Sequence, residues 1–155
     1  MSGLFARFRR SRDGSIALEL ALLVPILFGL LMVSVELGRA LYQANALEKG
    51  VRAGALFAAR GALPFTVEIQ DTIENLVRTG EPGGTAAVLA SGWSLPGASI
   101  EIDASASFDT GAGIVPLIRI EATVPFDPLM PRVVTYLGLG NYSFSSRHLQ
   151  PYVGN

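Results

Sequence analysis

The residues best placed to take part in chemistry lie at the start of the chain. Arg7, Arg9, Arg10 and Arg12 lead into Asp13-Gly14-Ser15, and an apolar run follows from Ile16 to Val35 with one charge in it, Glu19. An ionised carboxylate costs on the order of 2.5–3.5 kcal/mol at the centre of a membrane span, and less near its end. A plain anchor has no need of it. Either Glu19 simply sits at the interface, or it marks a partner charge. Were the chain cut after Gly14, Ser15 would carry a free α-amino group, cationic below a pKa of roughly 7.7–8.0. Glu19 would then offer that amine a counter-charge, one turn away or on an adjacent subunit. In a low-dielectric setting such a pair fixes register as well as attraction.

Other groups offer less. There is no cysteine, which excludes disulfides, thiol catalysis and Cys-based metal sites. His148 is the sole histidine, and it falls in a predicted strand, where it reads as structural or exposed. Gly80-Glu81-Pro82-Gly83-Gly84 lacks the Lys and Ser or Thr that complete a phosphate-binding loop. Glu101, Asp103 and Asp109 alternate outward as a solvated strand face. Asp109 and Asp127 lie near loops and could contribute to a calcium site, but their spacing is not that of an EF-hand. Trp93 reads as core. No catalytic group, cofactor or metal is assigned, and nothing resembles a basic nucleic-acid surface.

The N-terminal residues need a long element to position them. Residues 1–14 carry a net side-chain charge of +3 and the rest of the chain −4. A basic flank stays in the cytoplasm, so the C-terminal part faces outward. Residues 1–14 read as a basic cytoplasmic leader, 15–36 as a transmembrane helix, 37–60 as its extramembrane extension, and 61–155 as an extracytoplasmic α+β domain. In the extension Leu37, Leu41, Ala44, Leu47, Val51, Gly54 or Ala55, and Ala58 recur at helical spacing. From Ser15 to about Arg60 the helix would span roughly 70 Å if unbroken. Pro25 should kink it, because proline removes a backbone donor and crowds the preceding turn. Neighbouring helices tolerate such a proline in a membrane. Glu36 and Arg39, three apart just past the apolar run, suit an interfacial ion pair worth little, or else a contact with another subunit. The small residues Gly38, Ala40, Ala44, Ala46, Gly50, Ala53, Gly54, Ala55, Ala58 and Ala59 would let another helix approach closely on one face and the protein's own domain pack on another.

Beyond Gly61 and Pro64, the segment Thr66–Thr79 predicts a second helix capped by Thr66, with Val67, Ile69 or Gln70, Ile73, Leu76 and Val77 as its buried stripe. Thr85–Ser91 leans to a short helix or turn. Then the period changes. Ser99–Phe108 alternates as one strand, with Ile100, Ile102, Ala104, Ala106 and Phe108 on one face. Ile114–Phe126 is a second strand, paired with the first as an antiparallel hairpin. Val133–Leu137 suits a short turn of helix, and Tyr142–Leu149 a third strand. The fold class expected is α+β: a long N-terminal helix packed on a small antiparallel sheet.

Residues 9–60 resemble the TadE-like proteins, pilin-like components of the tight-adherence (Flp-type) pilus system. Gly14, Glu19, Pro25 and Glu36-Leu37-Gly38-Arg39-Ala40 carry the resemblance, and the alanine-rich helix continues it. Ile118–Pro131 looks like a further family region, while residues 61–110 add little. The resemblance implies cutting between Gly14 and Ser15 by an aspartic-acid prepilin peptidase. It also implies an inner-membrane location, and a minor-pilin or pseudopilin role alongside other pilin-like subunits and the pilus assembly machinery. Ser15 stands where ordinary type IV pilins commonly carry an aromatic residue or methionine. Two readings of other classes stand beside it. One is a periplasmic binding or enzyme domain on an uncleaved signal anchor. The other is a secreted domain released near Ala44-Asn45-Ala46, which formally fits a small-residue cleavage site.

Overall fold

The computed structural model describes residues 12–111, 113–136, 138 and 140–154, with backbone alone at Arg12 and Asp13. Arg7, Arg9 and Arg10 of the leader lie outside the described residues. Helix α1 runs Arg12–Ala58 with Pro25 inside it, so helical structure begins before Ser15, where the sequence placed its start. The chain divides into two compact units, 1–38 and 39–155.

In the first unit the apolar stretch of α1 is exposed almost throughout: Ile16, Leu18, Leu20, Leu22, Ile26 and Leu30 all keep more than half their surface. A helix apolar on every side, long enough to cross a bilayer, has no buried residue in its most apolar window. Such a surface belongs in hydrocarbon rather than water.

The second unit is a helix-on-sheet layer. From Arg39 onward α1 buries Gln43, Ala46, Leu47, Gly50, Val51, Gly54, Ala55 and Ala58, and Ala59 just past its end is buried too. The face expected from Leu41 differs: Leu41 stays 58% exposed, while Gln43 is buried. Helix α2, Val67–Thr79, starts where the Thr66 hydroxyl accepts from the Ile69 amide. It stops at Gly80, whose φ of 76° only glycine adopts freely and whose N–H bonds the Leu76 carbonyl. Its buried residues are Ile73, Leu76 and Val77. Val67, expected in the stripe, is 72% exposed as the helix's first residue. Helices α1 and α2 meet at glycine. A Cβ on Gly50 would strike the Val77 carbonyl, and one on Gly54 would lie 2.7 Å from Val77 Cγ2. The absence of side chains there lets the α2 backbone approach α1 closely.

After a 3-10 turn at Ser91–Ser94 come β1 (Ser99–Asp103), β2 (Ser107–Asp109), β3 (Ile114–Pro125), the short α3 (Pro131–Tyr136) and β4 (Ser143–Pro151). All pairings are antiparallel, and β3 is central. Strands β1 and β2 lie along one edge of β3, and β4 lies along the other. Ile118, Ile120, Ala122 and Val124 alternate inward from β3 and close on Leu47, Val51, Ala55, Ala58, Ile73 and Val77. Full burial of such side chains stabilises by roughly 1.5–3 kcal/mol each.

The single strand expected over Ser99–Phe108 is two. Pairing passes from Asp103↔Arg119 to Ser107↔Pro116, so three residues of one edge face two of β3. The cause is local. Asp103 Oδ1 accepts from the Ser105 amide at 2.8 Å and its hydroxyl at 2.6 Å, which bends the chain away from the ladder. Pairing then resumes with the Leu117 amide donating to the Ala106 carbonyl. Beyond the bulge Phe108, expected inside, is 59% exposed.

Candidate functional site

Gly14 and Ser15 sit in the first turns of α1, and both are exposed. A Cβ on Gly14 would meet nothing within 4 Å, so its glycine identity answers no packing demand among the described residues. Glycine lowers helix stability by about 1 kcal/mol relative to alanine. Glu19 is exposed on the same helix. At a separation of four residues, Ser15 and Glu19 share one helix face.

Further along, Arg39 and Gln43 converge on one backbone group. Arg39 Nη2 and Gln43 Nε2 each donate to the Asp127 carbonyl at 3.0 Å, and the Asp127 amide donates back to Gln43 Oε1 at 3.3 Å. Gln43, only 3% exposed, thus pairs with a peptide unit much as a neighbouring strand would. The same loop is fixed on its other side by the Phe126 amide donating to Tyr142 O, and by edge-on contacts of Phe144 with Phe126 and Tyr142. Glu36 is 5% exposed. The sequence marks Arg39 as an ion-pair or subunit-contact residue and as part of the TadE-like motif, and gives Gln43 no role. The available signal was a glutamine on the same helical face as Leu47 and Val51, where a polar side chain needs a partner.

The remaining candidates do not assemble into a reaction centre. Asp109 accepts from the Gly111 amide at the β2–β3 turn, while Asp127 follows the far end of β3. Those ends are roughly 35 Å apart along the strand, which rules out a shared calcium site. Among the described residues no group of three or more His, Asp and Glu side chains gathers. His148 pairs opposite Ile120, with Nε2 3.4 Å from Gln150 Oε1. Trp93 is buried as expected, with the Arg78 guanidinium 5.5 Å from its ring centre. Asp103 also bonds Arg119 Nη2 at 2.7 Å. The Ser105 hydroxyl and amide, and then the Arg119 cation, hold the Asp103 carboxyl below its ordinary range.

An exposed apolar helix with one early carboxylate, continuing into a domain held by that same helix, is the feature that stands out. Residues 14–56 match the family model of the TadE-like proteins. The TadE-like segment therefore opens at the Gly14–Ser15 junction and contains Glu19, Pro25, Glu36, Arg39 and Gln43. Ile118–Pro131 lies outside the matched residues. No curated protein and no solved structure matches the chain. The match covers part of the long N-terminal helix, less than a third of the chain, and the likeness is to TadE-like proteins, which are associated with the Tad, or Flp, pilus system. Together with the single apolar N-terminal helix it fits a membrane-anchored protein.

Proposed function

We propose that this chain is a minor pilin-like subunit, or pseudopilin, of a tight-adherence pilus, inserted in the inner membrane with its N-terminus in the cytoplasm. A prepilin peptidase removes the leader between Gly14 and Ser15. The observation that carries the reading is the TadE-like match over 14–56, which includes an exposed apolar stretch, residues 16–35, with one carboxylate in it, Glu19. Before assembly that surface is covered by lipid. After cutting it is covered by the helices of other pilin-like subunits, so the same apolar residues serve both states. Glu19 supplies the counter-charge to a newly freed Ser15 amine, Pro25 bends the helix where neighbours pack, and Glu36 and Arg39 mark the exit from the bilayer.

The test is Glu19→Ala in cells that make the pilus. An uncharged residue suits hydrocarbon better, so membrane insertion persists. The proposal expects piliation to fall, with the protein still present in membranes. Normal piliation would show that Glu19 provides no counter-charge.

A further inference from the structure

Both sides of the sheet end in an unpaired edge. Strand β3 carries β1 and β2 on one side and β4 on the other, and among the described residues no strand pairs with the far edge of β1 or of β4. No residue of either strand is buried. Strand β4 runs for nine residues in unbroken register with β3, and its one proline, Pro151, is its last residue. Folded proteins blunt a sheet edge with a bulge, an interior proline or a very short strand, and β4 has none of these. Its outward N–H and C=O groups form a template for another strand. The outer face of the sheet is also charged unevenly. Glu101 of β1 lies opposite Glu121 of β3, which in turn lies opposite Arg147 of β4. Like charges set directly opposite destabilise a ladder. Among the described residues none of these three forms an ion pair, whereas Asp103, two residues beyond Glu101, is held by Arg119 at 2.7 Å. One edge therefore ends in an unpaired acid and the other in an unpaired base, at the same register position.

We propose that a second copy of this chain adds its β1 to the free edge of β4, so that the sheet continues from one subunit into the next. A neighbour displaced sideways by the width of the sheet keeps the register. The partner's Ser99 then comes beside Ser145, the partner's Glu101 beside Arg147, and the partner's Asp103 beside Leu149. Arg147 stands between two carboxylates, Glu121 of its own chain and the partner's Glu101, and opposite charges side by side stabilise the pairing. Strands β1 and β4 both run antiparallel to β3, so they run parallel to one another across the junction. Such a neighbour keeps every element in the same direction. Pairing β4 with β4 about a two-fold axis reverses the neighbour and, when centred on the strand, sets Arg147 against Arg147. The inference rests on membrane anchoring through α1 for one point, that copies entering a membrane from one side share a direction. The contact is head-to-tail, so each copy still offers a free edge to the next. It is also short, because β1 has five residues and the bulge at Asp103–Ser105 ends the template. Confinement to one membrane raises the effective concentration at which it forms.

The chain has no cysteine, so introduced thiols report without background. Ser99→Cys and Ser145→Cys, both at exposed positions, are made as separate full-length chains with different tags. They are produced together in cells, and the isolated membranes are oxidised with copper phenanthroline. Adjacent strands hold facing Cα atoms within disulfide reach. The mixed disulfide dimer should predominate over either same-variant dimer. Arg147→Glu in the Ser145→Cys chain should cut it about fivefold, and Glu101→Arg in the Ser99→Cys chain should restore it. Rescue from the opposite chain separates loss of the contact from loss of the fold. A mixed dimer indifferent to Arg147→Glu would overturn the register. Dimers of Ser145→Cys alone would overturn the proposal in favour of two-fold pairing. No dimer, with Ser145→Cys shielded from a membrane-impermeant maleimide, would overturn it in favour of a different protein on the edge; no dimer with that thiol open would overturn it outright. Cell fractionation reports on anchoring separately: a membrane-bound chain without the mixed dimer overturns the edge contact alone, whereas a chain outside membranes overturns the anchoring beneath it.

Discussion

Replacing Gly50 with alanine, beside the same change at Gly38, tests which small residues of α1 are used within the subunit. Both glycines lie inside the helix, and alanine should gain about 1 kcal/mol of helix stability at each. Their surroundings differ. A Cβ on Gly38 meets nothing within 4 Å, whereas one on Gly50 meets the carbonyl oxygen and carbon of Val77, with Leu89 Cδ1 at 3.3 Å. Backbone cannot rotate away as a side chain can, so α2 must shift along with Ile73, Leu76 and Val77, which it buries. Overpacking of this kind costs typically about 1–3 kcal/mol. Because the helix gain is common to both, the difference between the variants isolates the contact. Gly38→Ala should be as stable as wild type or up to about 1 kcal/mol more so, with Gly50→Ala about 1–3 kcal/mol below it. Denaturant unfolding of the full chain in detergent, followed by circular dichroism, gives both values. Equal stabilities would refute the close approach of α1 and α2 through glycine.

Other outcomes follow from the same geometry. Gln43→Leu keeps the volume but orphans the Asp127 amide, while Arg39 still serves its carbonyl; urea unfolding should show a loss of about 1–3 kcal/mol, and none for the exposed Asn45→Leu. Asp103 has a lowered folded pKa, so its contribution is complete above the ordinary carboxylate range and is lost as pH falls through its folded value, below 3.8. The stability difference between wild type and Asp103→Asn should therefore be small and constant from neutral pH down to about pH 5, and vanish in stronger acid. A gap that widens on acidification would contradict it. Glu19→Gln, which keeps the shape and removes the charge, should impair piliation as Glu19→Ala does; a piliated Glu19→Gln strain would show that shape rather than charge matters.

The parts of the fold legible in the sequence are those where one residue pattern meets one environment. Strand β3 alternates because Ile118, Ile120, Ala122 and Val124 face the helices while Arg119, Glu121 and Thr123 face outward. The apolar run could be read from length alone. What escaped reading depended on single hydrogen bonds. The Asp103–Ser105 bonds break a strand that alternates without fault in its letters and turn Phe108 outward. Gln43 takes a core position because the backbone N–H and C=O of Asp127, far along the chain, satisfy it, and Leu41 is left exposed. Gly50 and Gly54 were visible as small residues, but nothing in the sequence said that α2 would be the helix to fill the space. At the N-terminus the situation reverses. Among the described residues Gly14 and Glu19, both exposed, make no packing contact that explains them, and their spacing in the sequence is the more informative description.

The central claim is that another protein cuts this chain between Gly14 and Ser15, so that the lone carboxylate faces a new amine. Mass spectrometry of the protein's N-terminus, isolated from cells with and without an active prepilin peptidase, tests it most directly. The account predicts a chain beginning at Ser15 where the peptidase is active, and one that retains its leader where the peptidase is missing or Gly14 is replaced. A chain beginning at Met1 or Ser2 in peptidase-active cells would contradict it.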